Sequence, residues 1–400
     1  MGCGSSQQTN QVVPIVKKVN NLFQATKVGS IEVKNRFVMT AISKLQIEPQ
    51  ADQQEDYLTD YYTERSGFGL IFAEYDQITP LASSFYGSEH MDEQEEQIEE
   101  WRRLIDIVHQ KGAKIVLQLW HPGRAVLRKF NGGDQPIAPS PIAIRTRNQE
   151  ILESYPIPKE MDIQDIQEVV QQFREGAIHA KKAGFDGVLL NAADGYLVDQ
   201  FIKDGTNSRN DEYGGNIQKR CKFLFECLDA LTGVYGADKV GVKFSPTGRA
   251  NDMYDSNPLQ LMKYILSECE RKKIAFVEIK KHSQLELVKN SGEQVDQFGQ
   301  ISPNKQIPNF FEEMRNAYSG TIIANDSLSY EQGTQYLAQR TFDLINFVQY
   351  TIVNPDLVDR FKHGWEVAKS DYSPQIQIRN KRRSQRSSIF GFEKVITINQ

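Results

Sequence analysis

The chain has 400 residues, of which 39% are hydrophobic, so it is long enough to bury one large core. Its formal net charge of -5 gives no indication of nucleic-acid binding, and no apolar run approaches the length that spans a bilayer. The four cysteines show neither CxxC spacing nor a His partner at metal-site spacing, which predicts reduced thiols and no metal site.

The N-terminal segment, residues 1–21, carries a lipidation pattern. "MGCGSS" matches the N-myristoylation motif with Gly2 as acceptor, and Cys3 stands where a palmitate would be added. Two acyl chains would hold a protein at a membrane, whereas one anchors it only marginally. The alternative interpretation is an unmodified, flexible tail. Because no secretory signal is visible, we expect a cytoplasmic protein whose membrane association depends on acylation.

Apolar runs alternate with amphipathic stretches over residues 22–372. Helical spacing is found, for example, over Asp162–Ala183 and Gln218–Leu231. The predicted strands are Arg36–Thr40, Leu70–Glu74, Lys114–Trp120, Gly187–Leu190, Val240–Phe244, Phe276–Ile279, Thr321–Ala324 and Leu344–Phe347. Eight strands alternating with helices predict an α/β fold, a single-domain (β/α)8 TIM barrel with disordered tails. A doubly wound sheet is the alternative, but the strand count and the length favour the barrel.

The C-terminal tail, residues 373–400, is basic. Its cationic residues Arg379, Lys381, Arg382, Arg383 and Arg386 have no acidic neighbour, and serines flank them. One interpretation is a solvated, disordered segment. The other is an electrostatic contact with anionic lipid that serine phosphorylation would release.

Functional residues of a (β/α)8 barrel are expected at the C-terminal ends of its strands. Segments at these positions resemble the Old Yellow Enzyme family, and they occur in the family order from Leu22 to Phe361. The segments are "KNRFVMTAISK", "GLIFAEYDQI", "QLWHPGR", "PIAPSPI", "AGFDGVLLNAADGYLVDQFIKDGTNSRNDEYGGNIQKR" and "NPDLVDRF". The resemblance implies an FMN-dependent NAD(P)H oxidoreductase on a (β/α)8 barrel. Its partner would be a small electrophilic acceptor, an activated alkene or a quinone-like molecule.

The resemblance places three residues after the fourth strand at the acceptor. The family has His, then Asn or His three residues later, then Tyr two residues further; this chain has Asn191, Asp194 and Tyr196. A phenol is neutral at pH 7 and can deliver a proton, and the Asn191 amide can donate a hydrogen bond. An ionised Asp194 only accepts, and it would repel charge developing on the acceptor oxygen. It would help if burial protonated it, or if the substrate carried a positive charge or a donor.

The resemblance also implies a flavin site. Gln118 matches the family glutamine that bonds the isoalloxazine edge, and Ser43 keeps a hydroxyl where the family has Thr. Tyr75 stands where the family has a small residue beside the flavin ring. Lys243 replaces an Arg, so the charge is kept while the planar fork is lost.

The phosphate end of the implied flavin site differs most from the family. Family glycine pairs, Gly-Gly and Gly-Arg, are replaced here by Asn325-Asp326 and Val348-Gln349. Glycines let backbone N–H groups approach a phosphate at a helix N-terminus. Asp326 would instead cap that helix with its own carboxylate, and the missing Arg removes a bidentate partner.

Two functional hypotheses follow from these residues. The first is a divergent FMN-dependent oxidoreductase, with Tyr196 as proton donor and Asn191 as oxygen clamp. The second is an inactive barrel that has lost FMN and serves as a binding or structural protein. Asp194, Tyr75 and the altered phosphate end favour the second.

Overall fold

The computed structural model describes residues 22–41, 54–74, 95–145, 154–281, 307, 309–325, 328–351 and 353–368. The strands are β1 (Thr26–Val28), β2 (Ile31–Val33), β3 (Phe37–Met39), β4 (Leu70–Glu74), β5 (Lys114–Leu119), β6 (Ile137–Ala138), β7 (Lys159–Glu160), β8 (Gly187–Ala192), β9 (Val240–Phe244), β10 (Phe276–Lys280), β11 (Ile322–Asn325) and β12 (Leu344–Asn346). The helices are α1 (Gln54–Glu64), α2 (Glu95–Gln110), α3 (Ile163–Ala183), α4 (Leu197–Ile202), α5 (Ile217–Arg220), α6 (Lys222–Tyr235), α7 (Pro258–Arg271), α8 (Phe310–Ala317), α9 (Tyr330–Ala338), α10 (Val348–Thr351) and α11 (Leu357–His363).

The strands β3, β4, β5, β8, β9, β10, β11 and β12 close into a parallel barrel. The closing pair is β12 with β3, in which Ile345 is opposite Phe37 and Asn346 is opposite Val38. The predicted (β/α)8 barrel is therefore confirmed. Each predicted strand overlaps an observed one, and their ends differ by no more than two residues.

The interior of the barrel is apolar at one end and polar at the other. Inward side chains of alternate strand residues form one buried apolar cluster, to which Val38, Leu70, Phe72, Val116, Leu189, Phe276, Ile323 and Leu344 belong. Room for the Phe276 ring exists because β9 has Gly241 there, where a Cβ atom would lie 2.2 Å from the ring. The hairpin of β1 and β2 belongs to the same cluster and seals the N-terminal end of the barrel.

Two positions further along several strands, the inward residues are polar. Side chains of a strand alternate between its two faces, so the next inward residue lies two positions after each residue of the apolar layer. On six strands this next residue is Gln118, Asn191, Lys243, Glu278, Asn325 or Asn346. All six are buried. This polar layer lies at the C-terminal ends of the strands, where a (β/α)8 barrel positions its ligands.

The predicted helix over Asp162–Ala183 is confirmed as α3, with Asp162 as its N-cap. The side chains of Asp162 and Asp165 each accept from the other's backbone N–H, which completes a capping box. The predicted helix over Gln218–Leu231 is instead two helices, α5 and α6, which meet at Cys221. The side chain of Arg220 is buried and donates to the Ile202 and Gly215 carbonyls and to Asp255. These bonds hold the C-terminal end of α5 against the interior of the protein.

Candidate active site

The structure brings Gln118, Asn191 and Lys243 to the same end of the barrel. Strand β5 carries Gln118 opposite Leu189, and Asn191 on β8 is opposite Lys243 on β9. Gln118 is 2% exposed, and its Oε1 has no hydrogen-bond partner among the described residues. The Asn191 Oδ1 accepts from the Ala193 N–H at 3.1 Å, so its NH2 is the end that can donate to a ligand.

The turn between Asn191 and Tyr196 has a left-handed backbone. Asp194 has φ of 60° and Gly195 has φ of 79°. A Cβ atom at Gly195 would lie 2.7 Å from the Ala250 carbonyl oxygen, so this position needs glycine for space as well as for its dihedral angle. The Asp194 N–H donates to Ser245 Oγ at 2.8 Å, and the Asp194 carbonyl accepts from Asn251 Nδ2 at 2.9 Å. The turn is thus anchored to the loop that follows β9.

A buried ion pair supports the same turn from helix α4. Asp199 Oδ2 accepts from the Gly195 N–H at 2.9 Å and from Lys203 Nζ at 3.2 Å. Lys203 Nζ also donates to the Ser245 carbonyl at 3.0 Å. Burial raises the pKa of Asp199, while the ammonium of Lys203 acts in the opposite direction. The Gln200 amide donates to the Gly195 carbonyl at 2.7 Å, so both peptide groups of Gly195 are fixed.

Tyr196 is half-buried and packs against Trp120, with ring centroids 4.5 Å apart. Trp120 follows strand β5 directly, so this contact joins the loop after β5 to the start of helix α4. The indole Nε1 of Trp120 is buried and has no hydrogen-bond partner among the described residues. The neighbouring His121 is neutral, because burial lowers its pKa to about 3, and its Nδ1 accepts from the Gly123 N–H.

The carboxylate of Asp194 contacts two ammonium groups. Its Oδ1 lies 2.8 Å from Lys280 Nζ and its Oδ2 lies 3.3 Å from Lys243 Nζ. We call these three residues the Asp194 cluster. Sequence reasoning missed Lys280, although the inward alternation of Phe276, Glu278 and Lys280 along β10 was a signal for it. The carboxylate at position 194 is therefore compensated by two cations of neighbouring strands.

Glu278 forms a second polar group deeper in the barrel. It is 1% exposed, and its Oε1 accepts from Asn325 Nδ2 at 2.7 Å and from Asn346 Nδ2 at 2.8 Å. The side chain of Asn325, which the resemblance placed at the phosphate end, thus faces the interior of the barrel. Glu278 and Asn346 were not singled out from the sequence. A lone Glu inside the apolar strand "FVEIK" was the available signal.

Several predicted residues lie outside the described part of the chain. These are Gly2, Cys3, Ser43, Tyr75 and Asp326, the side chain of Gln349, and all of both tails, residues 1–21 and 373–400. The described helices include none that is long and apolar enough to cross a membrane. The described residues also hold no group of three or more His, Cys, Asp or Glu side chains able to bind a metal ion.

The polar layer fits a flavin. Buried polar atoms are nearly always paired, yet Gln118 Oε1, Trp120 Nε1 and Asn346 Oδ1 have no partner among the described residues. The first two lie on or directly after the C-terminal end of β5. A planar ligand with N–H and C=O groups along its edge, such as an isoalloxazine, would satisfy such donors and acceptors.

The barrel and the polar layer are those expected of a (β/α)8 flavoprotein. Comparison with known proteins indicates the same class of enzyme. A sequence model of the NADH:flavin oxidoreductase / NADH oxidase family matches residues 21–367. This chain belongs to that family, and its resemblance to the Old Yellow Enzyme family is confirmed.

Relatives and solved structures of the same kind cover most of the chain. A probable flavin mononucleotide-dependent alkene reductase of Leishmania infantum is 31% identical over 370 residues, which are 89% of this chain and 94% of the relative. A 12-oxophytodienoate reductase 7 of Oryza sativa subsp. japonica is 32% identical, over 76% of this chain and 79% of the relative. The structure of morphinone reductase is similar with a TM-score of 0.77 and 27% identity, over 90% of this chain and 93% of that one.

Proposed function

We propose that this chain is an FMN-dependent NAD(P)H oxidoreductase of the Old Yellow Enzyme type. Its substrate would be a small electrophilic alkene or a quinone-like molecule. The observation that supports this most is the unpaired, buried Gln118 Oε1 in a layer that also holds Asn191 and Lys243. The names of the relatives, among them an alkene reductase, point in the same direction.

Bound FMN would take a hydride from NAD(P)H and supply it to the β-carbon of an alkene conjugated to a carbonyl group. Gln118 would accept from an N–H of the flavin edge, and Lys243 would place a cation beside the ring. Ser43, Tyr75, Asn325, Asp326 and Gln349 are the further residues that the family resemblance assigns to the flavin. Of these, Asn325 has its side chain in the barrel interior, where its Nδ2 donates to Glu278 Oε1.

Two side chains of the turn after β8 would act on the acceptor. The Asn191 NH2 would donate to the carbonyl oxygen, since the Asn191 Oδ1 is already held by the Ala193 N–H. The Tyr196 hydroxyl would deliver a proton to the α-carbon. Packing against Trp120, with ring centroids 4.5 Å apart, would restrict the phenol ring before an acceptor binds.

An inactive barrel without FMN gains no specific support from the described residues or from the relatives. The carboxylate at position 194, which favoured that hypothesis in the sequence, is compensated by Lys243 and Lys280.

The proposed function is tested on the purified full-length protein under anaerobic conditions. NADPH or NADH should bleach the flavin band of the FMN-loaded protein, and cyclohexenone should restore it with formation of cyclohexanone. A protein that carries FMN but is bleached by neither nucleotide, or is not reoxidised by conjugated enones or quinones, would contradict the proposal.

We also propose that the protein works at the cytoplasmic face of a membrane, held by acyl groups on Gly2 and Cys3 and by the basic tail. The support is the "MGCGSS" pattern together with the cluster from Arg379 to Arg386. Gly2→Ala should move the protein from the membrane fraction to the soluble fraction of a eukaryotic cell. Unchanged partitioning would show that acylation is not the anchor.

A further inference from the structure

Glu278 is a buried carboxylate of the polar layer that has no cationic partner in the described part of the chain. Its side chain is on the inner face of β10, and the residue is 1% exposed. The bonds of its Oε1 come from two neutral amides, Asn325 Nδ2 at 2.7 Å and Asn346 Nδ2 at 2.8 Å. A buried charge is costly unless a cation or a metal ion compensates it. Because natural proteins accept such a cost mainly at functional sites, this position indicates a role beyond stability.

The two amides fix the carboxylate in the barrel interior. Asn325 is 2% exposed and Asn346 is 0% exposed, so water screens this group only weakly. Both amide NH2 groups donate to the same oxygen, which restricts rotation of the carboxylate. Charges act more strongly in a poorly hydrated interior than at a surface. Glu278 therefore presents a fixed negative charge to any ligand of the polar layer.

The cation of the polar layer is engaged by a different carboxylate. Glu278 is directly opposite Lys243 on β9, yet the Lys243 Nζ lies 3.3 Å from Asp194 Oδ2 and forms no ion pair with Glu278. Lys280, two residues further along β10, also contacts Asp194. Two ammonium groups and one carboxylate give the Asp194 cluster a formal charge of +1. Glu278 adds a separate charge of -1, which no described cation neutralises by direct contact.

We propose that Glu278 lowers the reduction potential of the FMN that the polar layer binds. This inference rests on the proposed function, which places the flavin ring beside Lys243. A hydride that reaches the ring brings one negative charge with it, and the Glu278 carboxylate opposes that charge while the Lys243 ammonium favours it. Reduction by NAD(P)H thus loses driving force, and hydride transfer to the acceptor gains the same amount. The acceptor that benefits is the one that is harder to reduce, an activated alkene rather than a quinone.

Glu278→Gln tests the inference, because it removes the charge and keeps the shape of the side chain. The Gln oxygen can still accept from both amides, since a carbonyl oxygen has two lone pairs. The matched control is Glu175→Gln on the outer helix α3, where an exposed carboxylate likewise accepts from an amide, Gln171 Nε2, at 2.9 Å.

The measurement is the midpoint potential of the FMN-loaded full-length proteins, by anaerobic titration against a reference dye at one pH. We expect Glu278→Gln to shift the equilibrium between oxidised and reduced FMN toward the reduced form by about tenfold or more. For a two-electron couple, a tenfold shift raises the potential by about 30 mV. Glu175→Gln should have the potential of the wild type.

A second readout separates this role from a structural one. In anaerobic stopped-flow measurements, Glu278→Gln should speed reduction by NAD(P)H and slow reoxidation by cyclohexenone, whereas a variant with a damaged site would slow both steps. If Glu278→Gln does not fold, Glu278→Met, which has a similar length and no charge, takes its place in both measurements.

The outcomes distinguish this inference from the proposed function. A variant potential equal to or lower than that of the wild type would overturn the role of Glu278, while normal half-reactions would leave the proposed function standing. A wild type that binds FMN but is not reduced by NAD(P)H would contradict the proposed function, and the potentials would still decide the role of Glu278. A wild type that binds no FMN would contradict both.

Discussion

The turn from Asn191 to Tyr196 is held by two buried side chains of helix α4. Asp199 and Gln200 are no more than 1% exposed, and they bond the N–H and the carbonyl of Gly195. A turn supported in this way has its geometry before a ligand arrives, which lowers the entropy that binding must overcome. Because Tyr196 is the last residue of the turn, this support also fixes the position of its backbone.

Tyr196→Phe removes the proposed proton donor and keeps the ring that packs on Trp120. We expect the rate of reoxidation by an enone to fall by about 10²–10⁴-fold, the usual contribution of a positioned acid. The control is Tyr264→Phe on the outer helix α7, where the ring packs edge-on against Phe225. Stopped-flow absorbance would measure both, and a Tyr196→Phe rate equal to that of the control would exclude Tyr196 as the acid.

Among the elements, the barrel strands were predictable and the polar contacts between them were not. A strand such as Ile322–Asn325 begins as a short apolar run, and such runs are visible in the sequence itself. In several strands the observed ends differ from the predicted ends by one or two residues. The reason is that pairing with the neighbouring strand, rather than hydrophobicity, decides where a strand stops. The contact of Asp194 with Lys280 spans 86 residues and exists only because the barrel closes.

The family resemblance directed attention to family positions, so other buried polar residues of the barrel were missed. Glu278, Lys280 and Asn346 are inward residues of β10 and β12. The alternation along β10 signals an inward direction, but the local sequence does not tell which residues of other strands these side chains contact. The helix boundary at Cys221 was missed for a similar reason. The tertiary bonds of Arg220 interrupt a stretch whose apolar spacing alone favours one helix.

Asp186 connects three elements at the opposite end of the barrel from the candidate site. Its carboxylate is bonded to His109 Nε2 of α2 at 2.7 Å, to Lys114 Nζ at 3.0 Å and to the Ile115 N–H of β5 at 2.9 Å. Burial alone would raise the pKa of Asp186, but the bonds from His109 and Ile115 outweigh burial and lower it. The ionised carboxylate therefore stabilises the folded state.

Asp186→Asn should lower the free energy of unfolding by about 1.5–3 kcal/mol near neutral pH, the usual worth of hydrogen bonds to a charged group. Because the pKa is lowered on folding, this stabilisation is present above the ordinary Asp pKa of about 3.9 and is lost as pH falls through the folded-state value. Urea unfolding of both proteins at about pH 6 and about pH 3 would measure it. Exposed Asp134→Asn is the control, and an Asp186→Asn effect of equal size at both pH values would contradict the account.

In the whole molecule, the residues that stabilise the fold and the residues proposed for the chemistry lie at different levels along the barrel axis. The hairpin of β1 and β2 closes one end, where the Ser30 N–H donates to the Asp238 carbonyl at 3.0 Å, and the apolar layer around Phe276 fills the centre. The polar layer lies beyond it, at the C-terminal ends of the strands. A ligand must approach from that end, so a change to Tyr196 should alter activity with little effect on folding.

The central claim is that this polar layer holds a flavin, and the visible absorption spectrum of the purified full-length protein tests it most directly. The spectrum would be recorded as purified, and again after incubation with FMN and gel filtration. We predict a flavin band that stays with the protein, because the buried Gln118 Oε1 gains its missing partner. A folded protein that stays colourless after incubation with excess FMN would contradict the claim.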